Sequence, residues 1–169
     1  KMIDFMDKRI DVGASTCRLL LPNEKIDDAS HRGFPTPWNS FTRFSGISML
    51  FPKSKLFNGY NLGWCDLDKN HEIDALAGAF MLVRRQAGED VGWWDEDYFF
   101  YGEDIEFCFD LKEKGWKIFF VADASAFHHK GVSAGIKSIS RKKTTADLET
   151  RLNATRWMYK AMNIFYDKH

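Results

Sequence analysis

The sequence predicts an α/β fold in which a mixed sheet is flanked by helices and followed by a long C-terminal helix. Two observations favour this class. Strand-like apolar stretches alternate with amphipathic helical stretches, and apolar residues recur three and four positions apart near the C-terminus. The 169 residues fit one compact domain, because a chain of this length buries roughly 70% of its unfolded surface.

Local patterns predict the individual elements. Strands are expected where apolar or alternating residues run on, at residues 12–21, 73–83, 116–121 and 124–128. Helices are expected where apolar residues share one face, at residues 1–9, 86–91, 102–114 and 148–166. A further helix starts at Thr36-Pro37, with threonine as the N-cap and proline at the first helical position. Gly92 and Gly115 are expected to end two of these helices.

Composition excludes several functional classes. Lys+Arg and Asp+Glu both number 24, so net charge gives no reason to expect a nucleic-acid partner. Cys17, Cys65 and Cys108 are odd in number and widely spaced, which favours reduced thiols and a cytoplasmic location over a disulfide framework. Eight acids and no Lys or Arg lie between Glu89 and Glu106. Such a region suits a site that handles cations or hydroxyl protons, although a solvated acidic face explains it equally well.

The adjacent carboxylates Glu103 and Asp104 begin a predicted helix directly after an aromatic stretch. One carboxylate at such a position can accept a proton from an attacking hydroxyl while its neighbour fixes its orientation. The alternative is that both are ordinary first-turn acids, which the helix dipole favours.

Three further patterns suggest a binding site. Neutral imidazole is a common metal ligand, and His128 and His129 lie on a predicted strand, where adjacent side chains point to opposite faces. Trp93 and Trp94 precede Asp95, and indole faces stack on sugar rings whose hydroxyls a carboxylate binds. Gly78 follows an apolar stretch and either lets a ligand approach the backbone or permits tight helix packing.

The order of these patterns resembles the C-terminal half of a family 2 glycosyltransferase, most closely the bacterial rhamnosyltransferase-like branch with the GT-A (nucleotide-diphospho-sugar transferase) fold. The blocks that carry the resemblance are residues 74–85, 91–96, 99–108, 114–121 and 128–133, and they include YGED at 101–104 and HHKG at 128–131. Upstream, residues 11–14, 20–23 and 32–36 resemble the stretch that follows the metal-binding strand of that family. The resemblance covers about residues 1–165.

The resemblance implies a role for each matching residue. Asp104 matches the general base that deprotonates the acceptor hydroxyl in inverting transfer, and Glu103 matches its partner. His128, or less favourably His129, matches the histidine that helps hold a divalent ion, Mn²⁺ or Mg²⁺, on the donor diphosphate. The acceptor pocket is implied to include four positions: Gly78, Trp93, Trp94 and Asp95.

The resemblance also implies what the chain contains and what it does. Residues 1–169 match the acceptor-binding half of one domain, without the nucleotide-binding half, so we expect this fragment alone to bind no metal and to be inactive. The whole enzyme is implied to move a sugar from a nucleotide-sugar donor to a glycan or lipid-linked acceptor in bacterial cell-wall or polysaccharide biosynthesis.

Two alternatives concern association. In one alternative, the chain is a non-catalytic module that binds carbohydrate through its tryptophans. In the other, the chain self-associates as a homodimer through an uncovered sheet face or edge. The basic cluster at residues 141–143 suggests peripheral contact with the inner face of a membrane, whereas packing of the C-terminal helix on the domain is the stronger interpretation.

Overall fold

A four-stranded mixed sheet forms the centre of the computed structural model, which describes residues 1–129, 144 and 146–169. The strands are β1 (Val12–Leu20), β2 (His71–Ile73), β3 (Leu82–Val83) and β4 (Lys117–Phe127), in the spatial order β2-β4-β1-β3. The helices are α1 (Met2–Asp7), α2 (Pro37–Phe44), α3 (Ile47–Leu50), α4 (Arg85–Val91), α5 (Glu103–Glu113) and α6 (Leu148–Lys168), with a 3-10 turn at Asp28–Ser30. The predicted α/β class is confirmed.

The parallel pair β1 and β4 carries the core because helices cover both of its faces. Ile118 and Phe120 pack with Phe107 and Leu111 of α5, whereas Phe119 points to the opposite face and packs with Met6 of α1. The alternation of β4 side chains between two apolar layers explains why this strand reads as a continuous apolar run.

The single strand predicted at residues 73–83 is wrong. Its ends belong to β2 and β3, which pair antiparallel with opposite sides of the β4–β1 pair. The segment between them crosses from one edge of the sheet to the other, and the backbone of Ala75 pairs with that of Arg32. Ala75, Leu76 and Ala77 are buried. The apolar composition therefore reflects burial of a crossing segment, which periodicity alone does not distinguish from a strand.

Most other elements begin and end as predicted. Thr36 caps α2, and its hydroxyl accepts a hydrogen bond from the backbone N–H of Asn39 at 3.2 Å. Gly92 ends α4 with a φ of +77°, a conformation that glycine adopts without strain. The two extended pieces expected at residues 116–128 form one strand, β4.

Helix α6 packs its C-terminal part against α2 and α5. Phe165 is buried against Phe109 of α5, with ring centroids 5.7 Å apart. The Tyr166 hydroxyl lies 2.7 Å from the Ser40 hydroxyl of α2. These contacts make α6 one wall of the space between α2 and α5.

No described helix, α6 included, combines the length and the apolar composition that a bilayer crossing requires.

A buried carboxylate fastens the end of α6. Glu106 is 3% exposed and accepts hydrogen bonds from the Tyr98 hydroxyl at 2.8 Å and from His169 Nε2 at 3.1 Å. We expect Tyr98→Phe to lower the free energy of unfolding by about 1.5–3 kcal/mol, because it removes a hydrogen bond to a buried charge. Tyr159→Phe, at an exposed position of α6, is the matched control. Equal and small losses in urea denaturation of both variants would contradict this account.

Candidate active site

Asp104 lies in the first turn of α5, and two other segments hold its carboxylate. Oδ2 accepts a hydrogen bond from Arg32 Nη2 at 2.9 Å and another from the backbone N–H of Gly78 at 3.1 Å. Arg32 Nη2 also donates to the carbonyl of Leu76 at 2.7 Å. The side chains of Arg32 and Asp104 are 12% and 16% exposed. Both of these hydrogen bonds fall on Oδ2, and no described residue donates a hydrogen bond to Oδ1.

The backbone before α5 is shaped for this position. Gly102 has a φ of +88°, and a Cβ there would lie 2.9 Å from the ring of Tyr98. Glycine is therefore required both by conformation and by the close approach of the ring. This turn places Asp104 at the start of a rigid helix rather than on a loose loop.

Asp104 lines a cavity of about 350 Å³ between α2, α5 and α6. Polar groups are contributed by Arg32, Ser40 and Tyr60, and the apolar lining includes Met162 and Phe165. A cavity of this size with a few convergent polar groups is typical of small-ligand sites. A second cavity of about 500 Å³ lies between residues 97–100 and α6, and its lining does not include Asp104.

Glu103 stands beside Asp104 in a different environment. Burial raises the pKa of Glu103 above its usual value, and the neighbouring Asp104 charge acts in the same direction. Its Oε2 is buried and accepts no hydrogen bond from any described residue. The two carboxylates therefore differ, since one is oriented by an ion pair and the other is desolvated.

His128 follows β4 and is fixed by a buried acid. Its Nδ1 donates to Oδ2 of Asp27 at 2.9 Å, and its backbone N–H donates to the carbonyl of Leu20 at 2.8 Å. Asp27 is fully buried and also accepts a hydrogen bond from the backbone N–H of Ala29. A carboxylate on one imidazole nitrogen leaves the other nitrogen available, as in histidines that bind metals. His129 is exposed.

The described residues can supply one ligand of a divalent ion but not a complete metal site. Among residues 1–129, 144 and 146–169, no group of three His, Cys, Asp or Glu side chains is close enough to hold a metal. Residues 130–133 of the HHKGVS block lie outside the described residues, as does the basic cluster at 141–143. His128 is the position to which the family resemblance points, and its hydrogen bond to Asp27 leaves one ring nitrogen available.

The segment that follows the parallel strand β1 links His128 and Asp104. It carries Asp27, which bonds His128, and Arg32, which bonds Asp104. Helix α5 leads into β4 and packs on it, and His128 directly follows β4. Ligands of parallel sheets bind at the carboxyl ends of the strands.

The structure gathers some of the predicted site residues and separates others. Gly78 contacts Asp104, but neither cavity lining includes Trp93, Trp94 or Asp95. Both tryptophans pack on Phe107, with the Trp94 ring centroid 4.6 Å away. Asp95 pairs with Lys168, and that hydrogen bond lowers the pKa of Asp95. Their role in acceptor binding stays a prediction.

Two functional candidates were missed by sequence reasoning. Arg32 belongs to a stretch that carried the family resemblance, yet nothing in the local pattern connects it with Asp104, 72 positions away. Asp27 sits in a polar turn, 101 positions from its partner His128. Long-range ion pairs of this kind leave no periodic signal in one sequence.

Comparison with known families identifies the family of the chain. Residues 37–168 match the family described as Glycosyl transferase family group 2. The match covers most of the chain, so the chain belongs to this family. The mixed sheet, flanking helices and long C-terminal helix are consistent with a portion of a GT-A fold, as predicted.

Curated relatives are rhamnosyltransferases. N-acetylglucosaminyl-diphospho-decaprenol L-rhamnosyltransferase of Mycobacterium tuberculosis is 43% identical over 60 residues, which cover 36% of this chain and 20% of that protein. Rhamnosyltransferase WbbL of Escherichia coli K12 is 27% identical over 129 residues, covering 75% of this chain and 45% of that protein. The chain thus matches less than half the length of these relatives. No solved structure matches it significantly.

The Arg32–Asp104 ion pair is expected to stabilise the fold as well as the site. Arg32→Gln should lower the free energy of unfolding by roughly 3 kcal/mol, because it leaves a largely buried carboxylate without its cation. Arg18→Gln is the matched control: Arg18 also bonds one carbonyl and one carboxylate, but its partner Asp68 is 83% exposed. A loss for Arg32→Gln no larger than that for Arg18→Gln, measured by urea denaturation, would contradict the assignment.

Proposed function

We propose that this chain is the acceptor-side part of an inverting glycosyltransferase, with Asp104 as the general base. The observation that carries the proposal is a carboxylate oriented through one oxygen by Arg32 and Gly78, at the wall of a cavity. A general base has to be fixed within hydrogen-bond reach of the proton it removes, and this arrangement fixes it.

The proposed reaction is one displacement. Asp104 takes the proton of an acceptor hydroxyl as that oxygen bonds to the anomeric carbon of the donor sugar. The bond from this carbon to the nucleotide diphosphate breaks at the same time, and its electron pair leaves with the diphosphate. Attack opposite the leaving group inverts the anomeric configuration. Oδ1 is the proposed proton acceptor, because the two described hydrogen bonds fall on Oδ2.

Glu103 is proposed to bind the acceptor beside the base. A carboxyl group whose pKa is raised holds its proton more readily, and a protonated carboxyl donates one hydrogen bond. Oε2 of Glu103 is buried and accepts no hydrogen bond from any described residue. A hydroxyl of the acceptor sugar is its proposed hydrogen-bond partner. Met162 and Phe165 form an apolar wall of the cavity beside Asp104, whereas Glu103 is not among the residues that line it.

We further propose that His128 is one ligand of a divalent ion in the whole enzyme. Such an ion, when bound, stabilises negative charge on a leaving diphosphate. Asp27 orients the imidazole so that Nε2 is the ligating atom. Because the chain matches less than half the length of its rhamnosyltransferase relatives, the 169-residue chain alone is proposed to be inactive. Sugar transfer by this chain above background would refute this.

The relatives suggest the substrates. Both names describe rhamnose transfer, and one of them specifies L-rhamnose and N-acetylglucosaminyl-diphospho-decaprenol. We propose that the whole enzyme transfers L-rhamnose or a related sugar from its nucleotide diphosphate to a sugar on a polyprenyl diphosphate. A cavity of about 350 Å³ is large enough for the acceptor sugar but not for its lipid chain.

The base assignment predicts a specific loss of turnover. Asp104→Asn in the complete enzyme should lower kcat about 10²–10⁴-fold, because an amide accepts no proton. The variant should also lose stability, because the buried Arg32 guanidinium is left without its anion, so kcat is measured where urea denaturation shows the variant to be folded. Asp110→Asn, on the same helix but outside the cavity lining, should retain kcat. The measurement is the rate of transfer from nucleotide-diphospho-L-rhamnose to a soluble acceptor analogue.

Two outcomes would count against the proposal. Unchanged kcat in Asp104→Asn would remove Asp104 from the reaction. The second outcome combines two results: the complete enzyme transfers no sugar, and Trp93→Ala abolishes its carbohydrate binding. Together they would favour the non-catalytic carbohydrate-binding module. The indoles of Trp93 and Trp94 are 40% and 48% exposed, which leaves that surface available for such a test.

A further inference from the structure

Residues 29–65 form a long stretch without a single acidic side chain. They contain Arg32, Arg43, Lys53 and Lys55 and no Asp or Glu, although the whole chain has equal numbers of acids and bases. Lys53 and Lys55 are exposed. Arg32 is largely buried against Asp104, so the positive charge at the surface of this stretch comes from the exposed residues Arg43, Lys53 and Lys55.

The same stretch exposes large apolar side chains. We call it the α2–α3 surface and define it by six side chains that are each more than half exposed: Phe41, Phe44, Met49, Leu50, Phe51 and Leu56. Single exposed apolar residues are ordinary, but a group of this size on two adjacent helices and the following loop indicates an interaction surface.

Internal contacts hold this surface in place. The indole Nε1 of Trp38 donates to the carbonyl of Leu56 at 2.8 Å, which ties α2 to the loop after α3. The ring centroids of Trp38 and Phe41 are 5.8 Å apart, and those of Phe51 and Phe57 are 5.1 Å apart. The apolar side chains are therefore displayed by a folded unit.

The α2–α3 surface borders the Asp104 cavity. Phe44 belongs to the surface and also lines the cavity, together with Ser40 and Arg43 of the same helix. A ligand with one end in the cavity can thus have its other end against the exposed apolar side chains.

We propose that the α2–α3 surface binds the interfacial region of a lipid bilayer with anionic headgroups. Apolar and aromatic side chains enter the boundary between headgroups and acyl chains, while lysines beside them attract anionic lipids. The role of this contact rests on the proposed function: the lipid chain of the acceptor stays in the bilayer and its sugar reaches Asp104.

Charge favours a bilayer over a second copy of this chain. Two α2–α3 surfaces that met face to face would bring lysines of the same sign together, with no acid of residues 29–65 to pair them. An anionic bilayer supplies the complementary charge and takes up apolar side chains of varied shape.

Vesicle binding of the 169-residue chain tests the proposal. Co-sedimentation with phosphatidylglycerol-containing vesicles should exceed that with phosphatidylcholine vesicles and should weaken as salt increases. Met49→Ser/Leu50→Ser should weaken binding roughly tenfold or more through lost apolar insertion. Lys53→Glu/Lys55→Glu should weaken it by roughly tenfold or more in low salt.

Matched control variants distinguish binding through this surface from non-specific adsorption to vesicles. Leu148→Ser/Leu152→Ser removes two apolar side chains that are also more than half exposed, on α6, and Lys8→Glu/Lys25→Glu reverses two exposed lysines elsewhere. Both should bind vesicles as the unchanged chain does. Asp104→Asn should also bind normally, so vesicle binding and catalysis can fail independently.

Three results would overturn the proposal: no preference for anionic vesicles, equal losses in the surface variants and their controls, or a dimer in light scattering that Met49→Ser/Leu50→Ser converts to a monomer without any change in vesicle binding. The last result would assign the surface to a second copy of the chain.

Discussion

The ion pair between Arg32 and Asp104 is the contact on which the site depends. It joins the segment after β1 to the first turn of α5, and the same guanidinium reaches the carbonyl of Leu76 on the crossing segment. Three parts of the chain that are far apart in sequence therefore meet at one buried cation. Since breaking such a pair leaves an uncompensated charge, stability is coupled at this point to the geometry of the proposed catalytic site.

The fold supplies two carboxylates, each hydrogen-bonded to distant parts of the chain. Asp104 is oriented by Arg32 and Gly78, and Asp27 orients His128. In the proposed reaction the first acts on the acceptor, and the second acts through an imidazole on the donor diphosphate. Rigid elements carry both groups, which is what proton transfer and ligation need.

Sequence patterns predicted the elements well where the signal is local. The Thr36 cap, the glycine ends of α4 and α5, and α6 are read from a few neighbouring residues. They failed at residues 73–83, because burial of a crossing segment imitates a strand. The Glu103-Asp104 pair was found through its adjacency, whereas Arg32 and Asp27 act across the fold and were missed. Trp93 and Trp94 were predicted to stack on a sugar ring, and in the structure both pack on Phe107.

The most direct test of the central claim is the crystal structure of the complete enzyme with a soluble acceptor sugar bound. The account predicts the reactive hydroxyl oxygen within about 2.6–3.2 Å of Asp104 Oδ1, with Arg32 still bonded to Oδ2. An acceptor bound outside the cavity, with its hydroxyls beyond the reach of Asp104, would contradict it.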